Sequence, residues 1–289
     1  MSVFSRLYIT SSLLIVAMMA SHMALAQPAS RIVTVGGSVT EIVYALGQQD
    51  RLIARDSTSS YPEQVTKLPD IGYARALSPE GVLSVAPDLI IAIEGAGPPE
   101  TIDVLQSVQV AFVSVPEIFT AEGIVTKIRT VGAAVDRVQD ADVLAEQVAN
   151  ELSEAQNAAL QAAGGNPKKV LFILSTQGGR IMAGGSNTAA DGIIRMAGGI
   201  NAITVFEGYK PLTDEAVAIS APDVILMMDR GGDHGLATKE LLSMPALIPT
   251  PAAQNGNVLR MNGLHLLGFG PRTASAITEL SRALYGETN

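Results

Sequence analysis

The sequence predicts an α/β protein of two similar lobes with parallel sheets, joined by a long backbone helix, with a ligand cleft between the lobes. Three observations carry that prediction. Short apolar runs, rich in β-branched residues, alternate with helical segments along both halves. The stretch Leu77–Ile90 recurs at Leu212–Ile225, a constant offset of 135 residues. Between the halves, Asp140 to Ala163 is rich in Ala, Glu, Leu, Gln and Val and contains neither glycine nor proline.

In chain order, residues 1–26 have the organisation of an export signal. Arg6 supplies the positive charge, Leu13 to Ala20 the apolar stretch, and Ala24-Leu25-Ala26 the small residues of a cleavage site. That stretch falls well short of the roughly 18 residues of a membrane span. The chain has no cysteine to carry a lipid anchor, so the expected location is the periplasm of a Gram-negative cell. A retained N-terminal anchor is the other reading. Removing 26 residues from 289 leaves about 263, which suits two domains of moderate size. We place the N-terminal lobe at 27–138, the interdomain helix at 139–165 and the C-terminal lobe at 166–289.

The N-terminal lobe opens with Arg31 to Val35, a short strand ending at Gly36-Gly37. Ser38 followed by Glu41 has the spacing of a capping box, so Thr40 to Leu46 reads as a helix closed by Gly47. Leu52 to Ala54 is a second strand; Asp88 to Ile93, a helix over Thr101 to Val108, and Val110 to Val115 continue the alternation. The second half restarts at Val170 to Leu174, with a helix from Asn187-Thr188 ending at Gly198-Gly199. In each copy of the repeat a capped helix carries a glutamate in its first turn, Glu80 or Glu215; a proline stops it, and a buried strand follows. Asp140 to Ala163 would span about 36 Å as one helix. Such a stiff link predicts a few degrees of rocking rather than a wide hinge.

Composition narrows the function. With 28 acidic residues against 19 Lys plus Arg, and no basic block, nucleic acid and anionic membrane are not expected partners. The absence of cysteine excludes disulfides, zinc thiolate sites and thiol nucleophiles. Of three histidines, His22 leaves with the signal, so an all-histidine metal site is not expected. There is no Gly-x-Ser-x-Gly, no His-Glu-x-x-His and no Gly-x-Gly-x-x-Gly opening a strand–helix unit, which argues against an enzyme. The most informative segment is Gly72-Tyr73-Ala74-Arg75. A phenol two residues from a guanidinium can serve as a hard anionic oxygen ligand with a cation beside it. In an exported, two-lobed chain this points to capture of ferric iron; the plain alternative is a surface tyrosine in a turn.

Five stretches carry a resemblance that covers the mature chain: Ile32-Val-Thr-Val-Gly-Gly-Ser-Val-Thr-Glu-Ile, Ile71-Gly-Tyr-Ala-Arg-Ala-Leu-Ser-Pro-Glu-Gly, Met182-Ala-Gly-Gly-Ser-Asn-Thr-Ala-Ala-Asp, Gly208-Tyr-Lys-Pro-Leu and Leu267-Gly-Phe-Gly-Pro-Arg. They resemble the helical-backbone class of ABC-transporter substrate-binding proteins and, within it, the periplasmic haem-binding proteins. The resemblance implies a monomeric carrier of ferric haem b that docks on an inner-membrane permease dimer with its ATPase. Tyr73 matches the tyrosine that ligates haem iron, and Arg75 the arginine that bonds that oxygen and favours the phenolate. Tyr209, Lys210 and Arg230 become candidates on the opposite lobe, for stacking or for the haem propionates. Glu80 and Glu215 match the pair that meets permease arginines. His234 reads as a surface residue or a sixth iron ligand, and Tyr209 as a possible second tyrosinate; His265, Met227 and Met228 read as packing residues. Arg272 reads as tying down the turn before the last helix, and Ser38 and Thr188 as helix caps. Ferric-siderophore or cobalamin binding in the same transporter class is the alternative.

Overall fold

The computed structural model describes residues 28–229 and 237–286. The proposed signal segment, Arg230 and His234 therefore lie outside the described residues. The N-terminal lobe holds strands β1 (Ile32–Val35), β2 (Leu52–Arg55), β3 (Leu89–Ile93) and β4 (Ala111–Val115), with helices α1 (Gly37–Ala45), α2 (Pro79–Leu83), α3 (Pro99–Ser107) and α4 (Ala121–Ala134). Its sheet is wholly parallel in the order β2-β1-β3-β4. Helix α5 (Val138–Ala163) follows as one rod of 26 residues, closed by Gly164 in the left-handed conformation at φ 55°.

The C-terminal lobe contains β5 (Lys169–Ser175), β6 (Met182–Gly184), α6 (Ala189–Met196), β7 (Ile200–Asn201), β8 (Tyr209–Pro211), α7 (Asp214–Ser220), β9 (Val224–Asp229), α8 (Thr238–Leu242), α9 (Pro251–Gln254), β10 (Val258–Asn262), α10 (Gly263–Leu267) and α11 (Thr273–Tyr285). This sheet is parallel only over β10, β9, β5 and β7; β6 and β8 run antiparallel at its edge. The link from β5 to β6 is about six residues, whereas a parallel return needs a dozen or more, so a hairpin is the only connection available.

The internal repeat is real in three dimensions. Ser78 caps α2 through the Gly81 N–H at 3.0 Å, and Thr213 caps α7 through the Ala216 N–H at 3.2 Å. Each helix is followed by an alanine forced to positive φ, Ala86 at 48° and Ala221 at 42°, ahead of the proline. The next residue then clamps the neighbouring strand. Asp88 accepts from the Ser30 and Arg31 N–H groups at 2.8 and 2.9 Å, and Asp223 from the Lys169 N–H at 2.8 Å.

Period-2 alternation along the strands divides their side chains between cores. Val33, Val35, Ile90 and Ala92 face a core private to the N-terminal lobe, while Leu171, Ile173, Ile225 and Met227 face one private to the C-terminal lobe. The intervening residues, Ile32, Leu89, Ile91, Val170, Phe172, Val224 and Leu226, enter a third core common to both lobes. Helices α4, α5 and α11 close it. The buried stripe of α5 is Ala141, Ala145, Val148, Leu152, Ala155, Ala159 and Ala163, at the three- and four-residue spacing of one helix face. Small side chains there let the neighbouring backbones come close. A Cβ on Gly132 of α4 would collide with the Ala141 methyl, and one on Gly198 would lie 2.7 Å from the Ala159 carbonyl oxygen. Met227 and Met228 belong to these cores, as their place in a buried strand implies.

Gly132→Ala is expected to force α4 and α5 apart and cost about 1–3 kcal/mol. In a chain of this size that lowers Tm by about 3–10 °C in calorimetry.

Candidate functional site

The carboxyl ends of parallel strands leave their loops on the side where such sheets receive ligands. On the N-terminal lobe, that side carries Tyr73. Its loop is pinned at both ends. Before it, Asp70 Oδ1 accepts from the Gly72 N–H at 2.8 Å, Oδ2 accepts from Arg55 Nη1 at 3.0 Å, and the Gly72 carbonyl accepts from the Ser57 N–H at 2.9 Å. After it, the Gly97 N–H donates to the Ala74 carbonyl at 2.9 Å and the Leu77 N–H to the Gly97 carbonyl at 2.8 Å. Between these anchors Tyr73 is 51% exposed. The Arg75 guanidinium folds toward the loop after β3, where Nη1 donates to the Gly95 carbonyl at 2.9 Å. Gly95 is at φ +74°, and a Cβ there would sit 2.9 Å from that nitrogen, so only glycine admits the arginine in this pose.

Tyr209 forms the facing wall. Its phenol lies at the N-terminus of α6, near the Ala190 N–H and the Thr188 hydroxyl. Its ring stands edge-on to Phe172, centroids 6.2 Å apart. Burial raises the phenol above its ordinary value of 10.0; the Ala190 N–H, the Thr188 hydroxyl and the positive charge of Arg75 oppose that, and the Tyr73 phenol adds to it. Arg75 and Tyr73 belong to the other lobe, and both lie within electrostatic reach of this oxygen. As a whole residue Tyr209 is 37% exposed. Its oxygen is therefore enclosed while part of the ring stays open. Lys210, the next residue of β8, leaves the strand on the opposite face and places Nζ 5.5 Å from the centre of the Phe206 ring. Glu80 and Glu215 are both exposed, at the second position of α2 and α7.

Beside the cleft, the lobes meet along a polar seam. The expected capping box at Ser38 and Glu41 does not form. Gly36, at φ 106°, is the residue before α1, so Ser38 falls inside the first turn and its hydroxyl accepts from Lys127 at 3.2 Å. Glu41, 6% exposed, instead pairs with Arg272 through two bonds of 2.6 and 3.0 Å. Arg272 thus does more than tie its own turn: it joins the lobes, and its guanidinium lies 3.6 Å from the centre of the Tyr61 ring. Lys127 of α4, fully buried, also reaches Glu117 at 2.9 Å and the Gly268 carbonyl at 3.4 Å. Its signal in the sequence is a lysine interrupting the apolar spacing Ile124, Ile128, Val131, which no local motif explains. Thr188 is a cap as expected, accepting from the Asp191 N–H at 3.1 Å. His265 contacts Glu279 at 3.3 Å and Arg272 at 3.4 Å, in a cavity of about 310 Å³ also lined by Ser60, Tyr61 and Asn262. Burial, then Arg272, lowers its pKa, against the pull of Glu279.

The periplasmic binding protein family model matches residues 32–263. The chain belongs to that family. Among solved structures, this periplasmic binding protein is similar to the periplasmic heme-binding protein RhuT from Roseiflexus sp. RS-1, at 38% identity and a TM-score of 0.83 over 89% of this chain and 98% of the other. It is equally similar to the periplasmic heme-binding protein BhuT in complex with two hemes, at 38% identity and 0.82 over 88% and 97%. A vitamin B12-binding protein of Yersinia pestis is 24% identical over 268 residues, 80% of this chain and 91% of the relative. All three are named as binding proteins. No helix among the described residues of the binding protein is long and apolar enough to cross a membrane.

Burial also raises the Glu41 carboxyl above its ordinary 4.5, against the hydrogen bonds and charge of Arg272 and the charge of Lys127. The native state therefore holds this proton more tightly than the unfolded chain. Its contribution to stability is full below about pH 4.5 and is lost as pH rises through the native value. Removing Arg272 lifts that value further. Arg272→Ala is expected to cost about 3 kcal/mol at pH 7, and distinctly less near pH 4.5, measured by denaturant unfolding at both.

Proposed function

We propose that this chain binds ferric haem in the interlobe cleft, with the Tyr73 phenolate as iron ligand, and delivers it in the periplasm to an inner-membrane ABC permease. The observation that carries the reading is the convergence of Tyr73 and Arg75 from one lobe with Tyr209 from the other. A phenolate is a hard oxygen donor suited to ferric iron, and a guanidinium beside it balances its charge. Burial raises the Tyr209 phenol and so disfavours its phenolate; what it offers in this reading is its exposed ring, an aromatic edge for the macrocycle and not a second tyrosinate. This leaves Tyr73 as the one axial ligand from these two tyrosines. His265, committed to Glu279, is outside the ligand set. So is Lys210, on the far face of β8. Arg230, next after the end of β9, is the proposed partner of a propionate.

Similarity to heme-binding proteins at 38% identity supports haem over the alternatives. The vitamin B12-binding relative favours cobalamin as the second reading, and a ferric siderophore shares the same transporter class. Haem is the better fit because the chain has no tryptophan to stack on a corrin, while a phenol and a guanidinium are both present.

Glu80 and Glu215 supply the delivery step in this proposal. Each sits at the exposed start of a capped helix, one per lobe, at equivalent points of the repeat. Two carboxylates so related suit two arginines on a twofold permease.

Titrating the purified protein with ferric haem is expected to give a saturable high-spin tyrosinate spectrum. In Tyr73→Phe that spectrum should be lost and affinity should fall at least about 100-fold; an unchanged spectrum and affinity would sink the ligand assignment. Replacing Glu80 and Glu215 together by alanine should leave haem binding within about twofold and abolish permease-dependent uptake into proteoliposomes. Intact uptake would overturn the docking role.

A further inference from the structure

Aiming a single phenol at an iron atom is a problem of backbone torsion before it is one of chemistry. Tyr73 follows Gly72, which stands at φ +105°, a conformation open to glycine and hardly to any other residue. A rotation of about 20° at that bond carries an atom about 6 Å away through about 2 Å. Coordination tolerates only about 0.2 Å. Something must therefore hold this torsion.

The structure assigns that task to Asp70 and Arg55, which we propose as positioning residues that aim the Tyr73 phenol; the inference rests on the reading of Tyr73 as iron ligand. Asp70 divides its carboxylate between two jobs. Oδ1 takes the Gly72 N–H at 2.8 Å and so fixes the glycine, while Oδ2 is held by Arg55 Nη1 at 3.0 Å. Arg55 is in turn immobilised at the end of β2. Its side chain is 13% exposed, and Nη1 also donates to the Asp56 carbonyl at 3.1 Å. Backbone bonds from the Arg55 N–H to Pro69 and from the Ile71 N–H to the Arg55 carbonyl, both 3.0 Å, lock residue 70 beside residue 55. Asp56, fully buried, ties the same strand end to β1 through the Gly36 N–H at 2.9 Å and to the following turn through the Thr58 N–H at 2.8 Å. The chain of contacts thus runs from the sheet through Asp56, Arg55 and Asp70 to the torsion that points the phenol. In this proposal Asp70 and Arg55 act through Tyr73 and not on the ligand.

The test is ferric-haem titration of Asp70→Ala, Asp70→Asn and Arg55→Lys, with Tyr73→Phe alongside and Tm recorded for each. Asp70→Ala is expected to weaken binding by about 10- to 100-fold and to move the phenolate-to-iron charge-transfer band. Arg55→Lys, which keeps the ion pair, should remain close to the unsubstituted protein in both. Asp70→Asn keeps an acceptor for the Gly72 N–H and should fall between; if the alanine variant does not fold, a shifted band in Asp70→Asn supports the proposal and an unmoved one overturns it. An unmoved band with affinity within about twofold in Asp70→Ala, or a loss of affinity that follows Tm alone, would reduce Asp70 to a structural role. If the band disappears in Tyr73→Phe yet stays put in Asp70→Ala, only the positioning role fails. If it survives Tyr73→Phe, the ligand reading fails and the positioning role with it.

Discussion

Everything in this molecule is arranged around a core that belongs to neither lobe. Because strand side chains alternate, each sheet must cover two faces. One face of each is covered by its own lobe, and the other is turned to α4, α5 and α11 together. Burying that common surface leaves polar groups where the lobes touch, and these satisfy one another: Glu41 with Arg272, and Lys127 with Ser38, Glu117 and the Gly268 carbonyl. A buried lysine with three acceptors, and a buried carboxylate with a two-bond arginine partner, are tolerated because these partners offset part of the desolvation.

This has a direct effect on the cleft. Tyr73 and Tyr209 are on opposite walls, and the seam and the packed stripe of α5 tie those walls together. Gly192, whose Cβ would lie 2.7 Å from the Phe119 carbonyl oxygen and 2.8 Å from Phe269, shows how little slack exists between the lobes. A planar ligand would then be gripped between surfaces of nearly constant spacing, with selectivity set by thickness and by the chemistry of the walls.

Much of the fold was legible from local sequence alone. The repeat announced itself because Ser78-Pro79-Glu80 and Thr213-Asp214-Glu215 each start a helix, a proline ends it, and the strand behind it is continuously apolar. The long helix was legible from what it lacks. What escaped were interactions between distant residues. Glu41 and Arg272 are 231 positions apart, and no local pattern links them. The capping-box spacing at Ser38 and Glu41 misled because the positive φ of Gly36 starts the helix early enough to place Ser38 within it. The facing of Tyr209 and Lys210 was equally hidden, since β8 is three residues long and exposed throughout, offering no alternation to read. Tyr73 and Arg75 stand out in the sequence because their chemistry is unusual for a loop, whereas the residues that hold that loop, Asp70 and Arg55, look like ordinary surface charges until their partners are seen.

The shared core has one more consequence, for the thermodynamics of the whole molecule. Two lobes with separate interiors would melt separately, and a ligand touching both would merely bring their transitions together. Here neither sheet can lose its inner face without exposing the other, so the protein is built as a single cooperative unit. Free energy gained at the cleft is then shared by every strand: a ligand at 100 times its Kd raises the stability of the entire fold by about 2.7 kcal/mol. Occupancy is written into the global unfolding equilibrium, and amides as far from the cleft as the ends of α5 should register it through slower exchange.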